Sequence, residues 1–336
     1  MKKIACVIAI LICRLAWAQQ PPVAPVRAVS DTYFGTTIVD PYRYMENLDD
    51  PRVQAWIRSQ ADYALKILHA IPGRDQLLAR IQELDRGAAY RFSLVHRWPS
   101  GDLHYMKQLP SENTAKLYFH DAKSNQDRLL VDPDRFAEKG GHCAMEFVEP
   151  SPDERYVAYG IAAAGSEQTT LHILDLQSGK DLPDTIDRME AGYLPPRWLP
   201  DGSGFVYGRR RKLAADAPPT EVYKQTRALL HHLGTDPEKD SLILAMGSTP
   251  AIPLIETDFP AINIEFGSHF IVAQIKHGDD VLLTLYSAPL DSLTRAKIPW
   301  KKICDVQDGV EEYRIHGEEI DLRTSNAAPR YRIVKT

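Results

Sequence analysis

A turn-and-strand unit that occurs twice constrains the fold more than any other feature of the sequence. Residues 151–159 read SPDERYVAY and residues 199–207 read LPDGSGFVY. In both, a Pro-Asp turn leads into aromatic and β-branched residues, and Asp153 and Asp201 are 48 positions apart. Repeats near 50 residues with about four strands each are typical of β-propeller blades. A β-sandwich, whose strands recur every ~8–12 residues, is the alternative.

Short apolar runs separated by turn residues continue this pattern from residue 90 onward. Asp121 and Asp175 each close a predicted strand, and 54 positions separate them. No long helical period interrupts the strands, which argues against a parallel sheet built from βαβ units. The predicted fold class is therefore mainly β, with about four propeller blades in residues 89–336. The predicted strands lie at residues 103–106, 117–119, 129–131, 156–159, 171–176, 196–198, 205–207, 222–223, 262–264, 270–272 and 281–286.

Two amphipathic helices are predicted before the strands. Asp49 or Asp50 can cap the first helix, and Pro51 suits the first helical position because the missing N–H has no helical partner there. Apolar residues then recur at three- and four-residue steps, and Pro72-Gly73 separates a second helix. Residues 19–88 are thus predicted to form an extended and helical segment.

The first 18 residues have the pattern of a secretory signal peptide. Lys2 and Lys3 precede an apolar run over residues 4–12, and Ala16-Trp17-Ala18 is a small-residue cleavage site. A membrane anchor is the alternative, but the apolar run is shorter than the ~20 residues that a spanning helix needs. The mature protein is therefore expected to be periplasmic or secreted.

Charge and cysteine content narrow the possible partners. Without residues 1–18, 37 basic side chains face 45 acidic ones and the net charge changes from −5 to −8. This balance argues against nucleic acid and anionic membranes as partners, since both need clustered positive charge. The one basic run, residues 209–212, is expected to be a solvated loop. Cys143 and Cys304 are candidates for a disulfide in an exported protein, and the sequence does not decide whether they pair.

No cofactor or metal site is predicted. His142 and Cys143 with Glu146, and the pair His231-His232, are the weak metal-ligand candidates. Unligated surface or core positions are the favoured interpretation for all of them. Ile173, a candidate substrate contact on its strand, is likewise expected to be a core residue.

Several segments resemble the prolyl oligopeptidase family, in the order in which that family carries them. The first, residues 40–47 (DPYRYMEN), resembles the family's opening DPYRWLED segment, with Tyr44 and Met45 in place of Trp and Leu. The other segments are residues 151–182, 198–207, 223–236 and 321–334. The resemblance implies that the first segment docks on a hydrolase domain. The residues of this interdomain docking motif are Asp40, Pro41, Tyr42, Arg43, Tyr44, Met45 and Glu46.

In that family, a seven-bladed propeller covers the active site of an α/β-hydrolase domain whose Ser–Asp–His triad cleaves short peptides after proline. The resemblance implies a partial, open propeller of about four of the seven blades, preceded by the helical segment. The hydrolase domain is expected to be absent from these 336 residues, because no serine lies in a G-x-S-x-G elbow. No catalytic residue is therefore assigned, and the chain alone is expected to be inactive.

The function implied is that of the access-gating propeller of an exported serine endopeptidase. Its expected partners are short proline-containing peptides, reached through the hydrolase domain, and that domain itself. A non-enzymatic periplasmic propeller that binds peptides or a partner protein is the alternative. An open array leaves its first and last sheet faces uncovered, and both are expected to be apolar and to promote association.

Overall fold

A computed structural model of the protein describes residues 21–137, 141–163, 166, 168–190, 192 and 195–336. The chain divides into two compact units, with the boundary between Ala88 and Ala89. The predicted signal segment, residues 1–18, lies outside the described residues. None of the helices in the described ranges is long and apolar enough to span a membrane.

The first unit contains a β-hairpin and two helices. Strands β1 (Val29–Tyr33) and β2 (Thr36–Asp40) pair antiparallel, and helices α1 (Pro51–His69) and α2 (Arg74–Gly87) follow. The Asp50 side chain caps α1 by accepting a hydrogen bond from the Arg52 N–H, which agrees with the predicted start of this helix.

Most apolar side chains of these two helices are exposed. Val53 is the one buried residue of α1, and no described residue of α2 is buried. Leu65 is 51% exposed and Leu77 is 62% exposed, although both lie on predicted apolar faces. The helical unit therefore has the amphipathic pattern of packed helices without a core of its own.

The second unit consists of antiparallel sheets that follow one another along the chain, and we number them 1 to 5. Sheets 2 and 3 are the two four-stranded halves of one eight-stranded sheet, joined where Met189 pairs with Arg209. Sheet 1 contains β3 (Arg91–Arg97), β4 (Leu103–Gln108), β5 (Lys116–Asp121) and β6 (Gln126–Val131). Sheet 2 contains β7 (Cys143–Pro150), β8 (Tyr156–Ala163), β9 (Thr169–Asp175) and β10 (Lys180–Met189). Sheet 3 contains β11 (Arg197–Trp198), β12 (Gly204–Arg209), β13 (Arg227–His232) and β14 (Ser241–Leu244). Sheet 4 contains β15 (Asp258–Ile264), β16 (Phe270–His277), β17 (Leu283–Pro289) and β18 (Lys301–Cys304), and sheet 5 contains β19 (Val310–His316), β20 (Glu319–Thr324) and β21 (Arg332–Lys335).

This arrangement confirms the mainly β, partial-propeller prediction and adds detail to it. Four sheets have four strands each, and a fifth sheet of three strands follows them. A strand was predicted at residues 222–223, but these residues form the end of a 3-10 helix over Pro219–Tyr223. The proline at the start of that helix explains the difference, because its fixed φ suits a helical turn and it has no N–H for a sheet.

Alternating side chains let each inner sheet pack against both neighbours. In β8, Val157 and Tyr159 belong to the apolar cluster shared with sheet 1, whereas Tyr156 and Ala158 belong to the cluster shared with sheet 3. Two further clusters join sheet 3 to sheet 4 and sheet 4 to sheet 5. The period-two pattern of the strands thus produces a continuous series of face-to-face cores.

The two copies of the repeated turn lie next to each other. Asp153 accepts a hydrogen bond from the Arg155 N–H, and Asp201 accepts one from the Ser203 N–H. A Cβ placed on Gly202 would lie 2.9 Å from the Asp153 carboxyl carbon, so the second turn packs against the first. The repeat in the sequence therefore marks equivalent corners of neighbouring sheets.

Sheets 2 and 3 are joined by backbone hydrogen bonds in addition to their side-chain contacts. The Glu190 N–H donates to the Gly208 carbonyl at 2.9 Å, and the Arg210 N–H donates to the Arg188 carbonyl at 2.9 Å. Between sheets 3 and 4, the Gln225 N–H donates to the Glu256 carbonyl. Within the described ranges, no backbone hydrogen bond joins sheet 1 to sheet 2 or sheet 4 to sheet 5.

The outer faces of the first and last sheets differ in chemistry. Sheet 1 presents an aromatic face, in which the Tyr105 ring contacts Phe92 at 4.9 Å and Tyr118 at 6.0 Å between centroids. Sheet 5 presents a charged face, in which Glu312 binds Arg314 at 2.7 Å and Arg323 at 3.1 Å. The prediction of two apolar end faces is therefore wrong for sheet 5, because its outward strand positions carry ion-paired side chains.

Candidate functional site

The predicted docking motif forms a bonded corner at the end of β2. The Asp40 carboxylate accepts hydrogen bonds from the Tyr42 N–H at 2.8 Å and from Arg43 Nε at 3.0 Å. These two bonds lower the pKa of Asp40, the Tyr42 N–H having the larger effect. Pro41 lies between the bonded residues, and Met45 donates its N–H to the Tyr42 carbonyl at 2.9 Å. The motif therefore has a defined local conformation within its own unit.

Arg43 and Tyr44 connect this corner to the rest of the first unit. The Arg43 guanidinium binds Asp31 at 2.8 Å and Glu46 at 3.3 Å. The Tyr44 hydroxyl donates to the Pro25 carbonyl at 2.7 Å. Several of these side chains remain partly exposed, with Tyr42 43% exposed. Docking by this motif stays a prediction.

A cavity of about 780 Å³ lies where loops of sheets 2, 3 and 4 meet, at the end of the sheets where β8 ends and β15 begins. We call it the rim cleft. Its size falls within the ~300–1,000 Å³ of small-molecule and cofactor sites. Described residues that line it include Glu146, Ser166, Thr169, Glu190, Gly192, Arg210, Thr220, Tyr223, Lys224, Thr257, Phe259, Gly278 and Asp279.

A buried ion pair forms part of the cleft wall. Arg210 Nε lies 2.5 Å from Glu190 Oε2, and both side chains are more than nine-tenths buried. The Arg210 guanidinium also lies over the Tyr223 ring, 5.1 Å from its centroid. Such a pair is costly to break, because removing one partner leaves an uncompensated buried charge.

The expectation of a solvated loop is therefore wrong for Arg209, Arg210 and Arg211, whereas Lys212 is an exposed loop residue as expected. Arg209 is 4% exposed in its side chain and binds Asp187 at 2.5 Å and Glu238 at 2.6 Å. Arg211 binds Glu221 at 2.5 Å. The acidic partners lie 10 to 29 positions away in the sequence, so no local pattern indicates them.

Lys224 fixes the mouth of the cleft on the side of sheets 3 and 4. Its Nζ lies 3.0 Å from Glu221 Oε1 and 3.0 Å from Glu256 Oε1. These hydrogen bonds raise the pKa of Lys224, with Glu221 contributing most. The cleft therefore combines apolar surface with paired charges of both signs.

His231, one of the weak metal candidates, lies fully buried between two carboxylates. Its Nδ1 is 2.9 Å from Asp240 Oδ1 and its Nε2 is 3.3 Å from Asp184 Oδ1. The Tyr207 hydroxyl donates to the second Asp240 oxygen at 2.6 Å. This network joins the outer strands of sheets 2 and 3 and occupies both ring nitrogens. Among the described residues, no group of three or more potential metal ligands is found.

A carboxylate–imidazole–hydroxyl chain lies near the cleft in sheet 4. Asp258 Oδ1 is 2.8 Å from His277 Nδ1, and His277 Nε2 is 2.9 Å from Thr284 Oγ1. The same groups serve nucleophilic catalysis when the hydroxyl is accessible. Thr284 is only 6% exposed and sits within a strand, so this chain of bonds ties three strands together.

The remaining sequence candidates occupy core positions. Cys143 and Cys304 are not joined in a disulfide, and both are buried, in the clusters between sheets 1 and 2 and between sheets 4 and 5, respectively. Ile173 is wholly buried between sheets 2 and 3, as expected for a core residue. Glu146 lines the rim cleft rather than joining Cys143 in a metal site.

A series of radial four-stranded sheets with a cleft at one end defines the chain as part of a β-propeller. More specifically, residues 21–336 match the family described as "Prolyl oligopeptidase, N-terminal beta-propeller domain", and the chain belongs to that family.

Curated relatives agree with this assignment. The prolyl endopeptidase of Elizabethkingia meningoseptica is 24% identical over 316 residues, which cover 91% of this chain and 41% of that enzyme. The dual function macrocyclase-peptidase POPB of Galerina marginata is 24% identical, with 88% of this chain and 42% of that protein covered. The chain thus spans about two-fifths of the length of the curated relatives it matches.

Solved structures show the same fold. A structure from a study of two prolyl endopeptidases and their inter-domain dynamics has a TM-score of 0.75 at 25% identity, with 94% of this chain and 44% of that chain covered. Prolyl oligopeptidase B from Galerina marginata, bound to a 35mer hydrolysis and macrocyclization substrate, has a TM-score of 0.72 at 18% identity, with 94% and 46% covered.

Proposed function

We propose that this chain is the propeller portion of an exported prolyl oligopeptidase-like serine endopeptidase, and that the propeller limits the access of peptides to the catalytic site. The observation that carries the proposal is the family match over residues 21–336. Cleavage after proline requires a Ser–Asp–His triad in a hydrolase domain, and no residue described above is assigned to that triad.

The rim cleft supports a role in selecting substrates by size. Its wall contains the buried Glu190–Arg210 pair, and its mouth contains Lys224 bound to Glu221 and Glu256. Several ion pairs between different loops restrict how far those loops separate. An opening of restricted width admits extended peptides and excludes folded proteins. The motif at residues 40–46 would hold the helical unit on the hydrolase domain.

Activity measurements on two proteins test this proposal. The 336-residue chain alone is expected to leave a fluorogenic Gly-Pro substrate intact. A chimera, in which the chain replaces the matched segment of the Elizabethkingia meningoseptica enzyme, is expected to cleave that substrate and a proline-containing octapeptide but not a folded protein. Fluorophosphonate-sensitive turnover by the chain alone would contradict the assignment. A folded chimera that digests folded proteins would contradict the access-limiting role.

Export is tested separately with a reporter. Residues 1–30 fused to mature alkaline phosphatase are expected to give periplasmic activity, because the enzyme needs an oxidising compartment for its disulfides. Replacing Ile8 and Ile10 by aspartate in the fusion should abolish that activity. A fusion that remains cytoplasmic with the natural segment would refute the signal-peptide interpretation.

The alternative of a non-enzymatic peptide-binding or partner-binding propeller makes a different prediction. In that case the chain would bind peptides by itself, and a correctly folded chimera would remain inactive. The two results together distinguish the proposals, because the first requires a hydrolase domain and the second does not.

A further inference from the structure

Two histidines lie side by side on the first two strands of sheet 1. His96 of β3 is directly opposite His104 of β4 in the antiparallel register, and residues paired in this way point to the same face of a sheet. The centroids of the two rings are 4.9 Å apart, and the ring planes are inclined by 24°. The sequence does not indicate this pair, because nothing local relates two histidines that belong to different strands.

A β-bulge in β3 creates the pair. Regular pairing continued from Ser93 would place Val95 opposite His104. An extra residue between Ser93 and His96 shifts the register by one, and Leu94 there has a φ of 47°, in the left-handed region that non-glycine residues rarely adopt. Bulges often re-aim a side chain next to a functional site, and strained backbone persists only where the surrounding structure supports it. The result of this bulge is that His96 faces the same side of the sheet as His104.

The separation of the two rings suits the binding of one metal ion. Imidazole nitrogens bind zinc, copper and nickel, with metal–nitrogen distances of ~2.0–2.1 Å for zinc. An ion at that distance from one nitrogen of each ring would hold the two centroids ~5 Å apart at a near-tetrahedral angle. His96 is exposed, so its ring can turn toward an ion, whereas His104 is 2% exposed and is held by its packing. The pair therefore combines one fixed ligand with one adaptable ligand.

Two polar atoms beside the pair are buried without partners. His104 Nδ1 and Trp98 Nε1 have no hydrogen-bond partner among the described residues, although both side chains are more than nine-tenths buried. The centroid of Trp98 lies 4.9 Å from that of His104 and 6.0 Å from that of His96. Buried polar atoms of native proteins are normally bonded, so these two point to an occupant of the space beside them. A metal ion would bind the imidazole nitrogen, and water or an anion in its coordination shell would accept from the indole N–H.

The histidine pair opens onto a cavity of about 610 Å³ whose wall includes residues of sheets 1 to 4. His96, His104 and Trp98 all line this cavity, so an ion can reach them from solvent. The exposed carboxylate of Glu265 lines it as well and favours the entry of a cation. In the part of the chain that the structure describes, no group of three potential ligands is found, so the remaining coordination positions would be left to water or another small ligand.

We propose that His96 and His104 bind a divalent transition-metal ion, and that Cu²⁺ binds there more tightly than Ni²⁺ or Zn²⁺. Two imidazoles select these ions over Mg²⁺ and Ca²⁺, which prefer oxygen ligands. Copper leads because the affinity of a given nitrogen site rises along the series to Cu²⁺ and falls again at Zn²⁺. The inference does not depend on a hydrolase domain or on cleavage after proline, since both ligands belong to one sheet of this chain.

Metal titrations of the full chain test the proposal. The chain is purified without a histidine tag, treated with EDTA and titrated in a calorimeter at neutral pH with Cu²⁺, Ni²⁺, Zn²⁺ and Mg²⁺ salts. One tightly bound Cu²⁺ per chain is expected, with weaker binding of Ni²⁺ and Zn²⁺ and none of Mg²⁺. Bound Cu²⁺ should also quench the fluorescence of Trp98, because that ring lies beside both ligands. Absence of Cu²⁺ binding at micromolar concentration, or Mg²⁺ binding as tight as that of Cu²⁺, would overturn the proposal.

Variants assign the ligands. His96→Gln and His104→Gln should each weaken Cu²⁺ binding by about a hundredfold, because a single imidazole loses the gain from chelation. Electron paramagnetic resonance of bound Cu²⁺ should show two nitrogen ligands in the natural chain and one in either variant. Trp98→Phe should keep the calorimetric affinity and lose most of the quenching. His96 is exposed, so its substitution is not expected to unfold the protein and tests the site even if His104→Gln is unstable.

Two other histidines of the second unit provide matched controls. His120 lies in sheet 1 and binds Asp127 at 2.9 Å, and His316 lies in sheet 5; neither contributes to the described wall of the cavity. His120→Gln and His316→Gln should therefore bind Cu²⁺ with unchanged affinity and stoichiometry. Unchanged binding by His96→Gln, or equal weakening in the two control variants, would show that the ion is held elsewhere and that the proposed site is wrong.

Discussion

The helical unit and the sheet unit have equally clear apolar periodicity, yet they bury it to different extents. In the sheet unit, Phe205 and Leu171 have no measurable exposure. In the helical unit, Leu77 and Leu84 are 62% and 59% exposed on a face with the same regularity. The comparison teaches that periodicity predicts the type of element and the direction of its apolar face. Periodicity does not show which element covers that face, and the face contributes to the stability of the fold only where another element buries it.

The largest expected difference between the units concerns apolar truncation. Phe205→Ala should lower the free energy of unfolding by roughly 3–5 kcal/mol, because it leaves a cavity between sheets 2 and 3. Leu77→Ala should change it by less than about 0.5 kcal/mol, since that side chain is already mostly in solvent. Urea denaturation of both variants measures this. Equal losses would show that the helices contribute a core that their exposure does not indicate.

The next prediction concerns the buried histidine of the sheet unit. His231→Ala should lower the free energy of unfolding by about 3 kcal/mol, because Asp184 and Asp240 would then be buried without the ring between them. His269 binds Glu318 at 2.7 Å with both side chains largely exposed. His269→Ala should therefore change stability by less than about 1 kcal/mol. Thermal melts that rank these two variants in the opposite order would contradict the importance of the network.

A pH dependence of similar size is expected from His104. Burial, with a smaller contribution from the nearby charge of His96, lowers its pKa to about 4. Between pH 6.5 and about 4, the unfolded chain therefore binds a proton that the folded chain does not, and stability falls as the pH is lowered. The loss should reach at most about 3 kcal/mol. His104→Gln should remove this part of the slope in denaturation curves recorded from pH 7 to pH 4, and an unchanged slope would assign it to other groups.

The smallest expected effects come from matched glycines. A Cβ on Gly204 would lie 2.1 Å from the His231 carbonyl oxygen on the paired strand, whereas one on Gly87 would meet no atom within 4 Å. Gly204→Ala should therefore destabilise the protein by about 1–3 kcal/mol. Gly87→Ala should stabilise α2 by up to about 1 kcal/mol. If both variants melt like the natural chain, the close approach at Gly204 is more adaptable than its geometry indicates.

Local signals in the sequence predicted much of the fold. The Asp50–Pro51 start of α1, the repeated Pro-Asp turns and the alternating strands depend on neighbouring residues, and the structure contains them except for the strand predicted at residues 222–223. The strands that were not predicted include β3, β7, β10, β13, β18 and β19. The polar and charged residues within them weaken the alternation, and the pairing that stabilises them involves residues distant in the sequence.

The candidate sites were harder to predict because they are built from non-local pairs. Glu190 and Arg210 are 20 positions apart, and Asp184 and His231 are 47 apart. In the sequence, a run of four basic residues cannot be distinguished from a solvated loop, because the acidic residues that pair with it are known only from the structure. The predicted docking motif was found through its family resemblance, and its internal hydrogen bonds account for the three-residue spacing of Asp40 and Arg43.

The backbone hydrogen bonds between sheets 2 and 3 have a mechanical consequence. Side-chain contacts allow two packed surfaces to slide by small amounts, whereas a hydrogen bond between main chains fixes one point on each surface. Sheets 2 and 3 should therefore move together as one rigid body. Breathing motions of the array would then concentrate at the junctions between sheets 1 and 2 and between sheets 4 and 5, where main-chain tethers are lacking within the described ranges. Amide hydrogen exchange should therefore be slower at the junction of sheets 2 and 3 than at these two junctions.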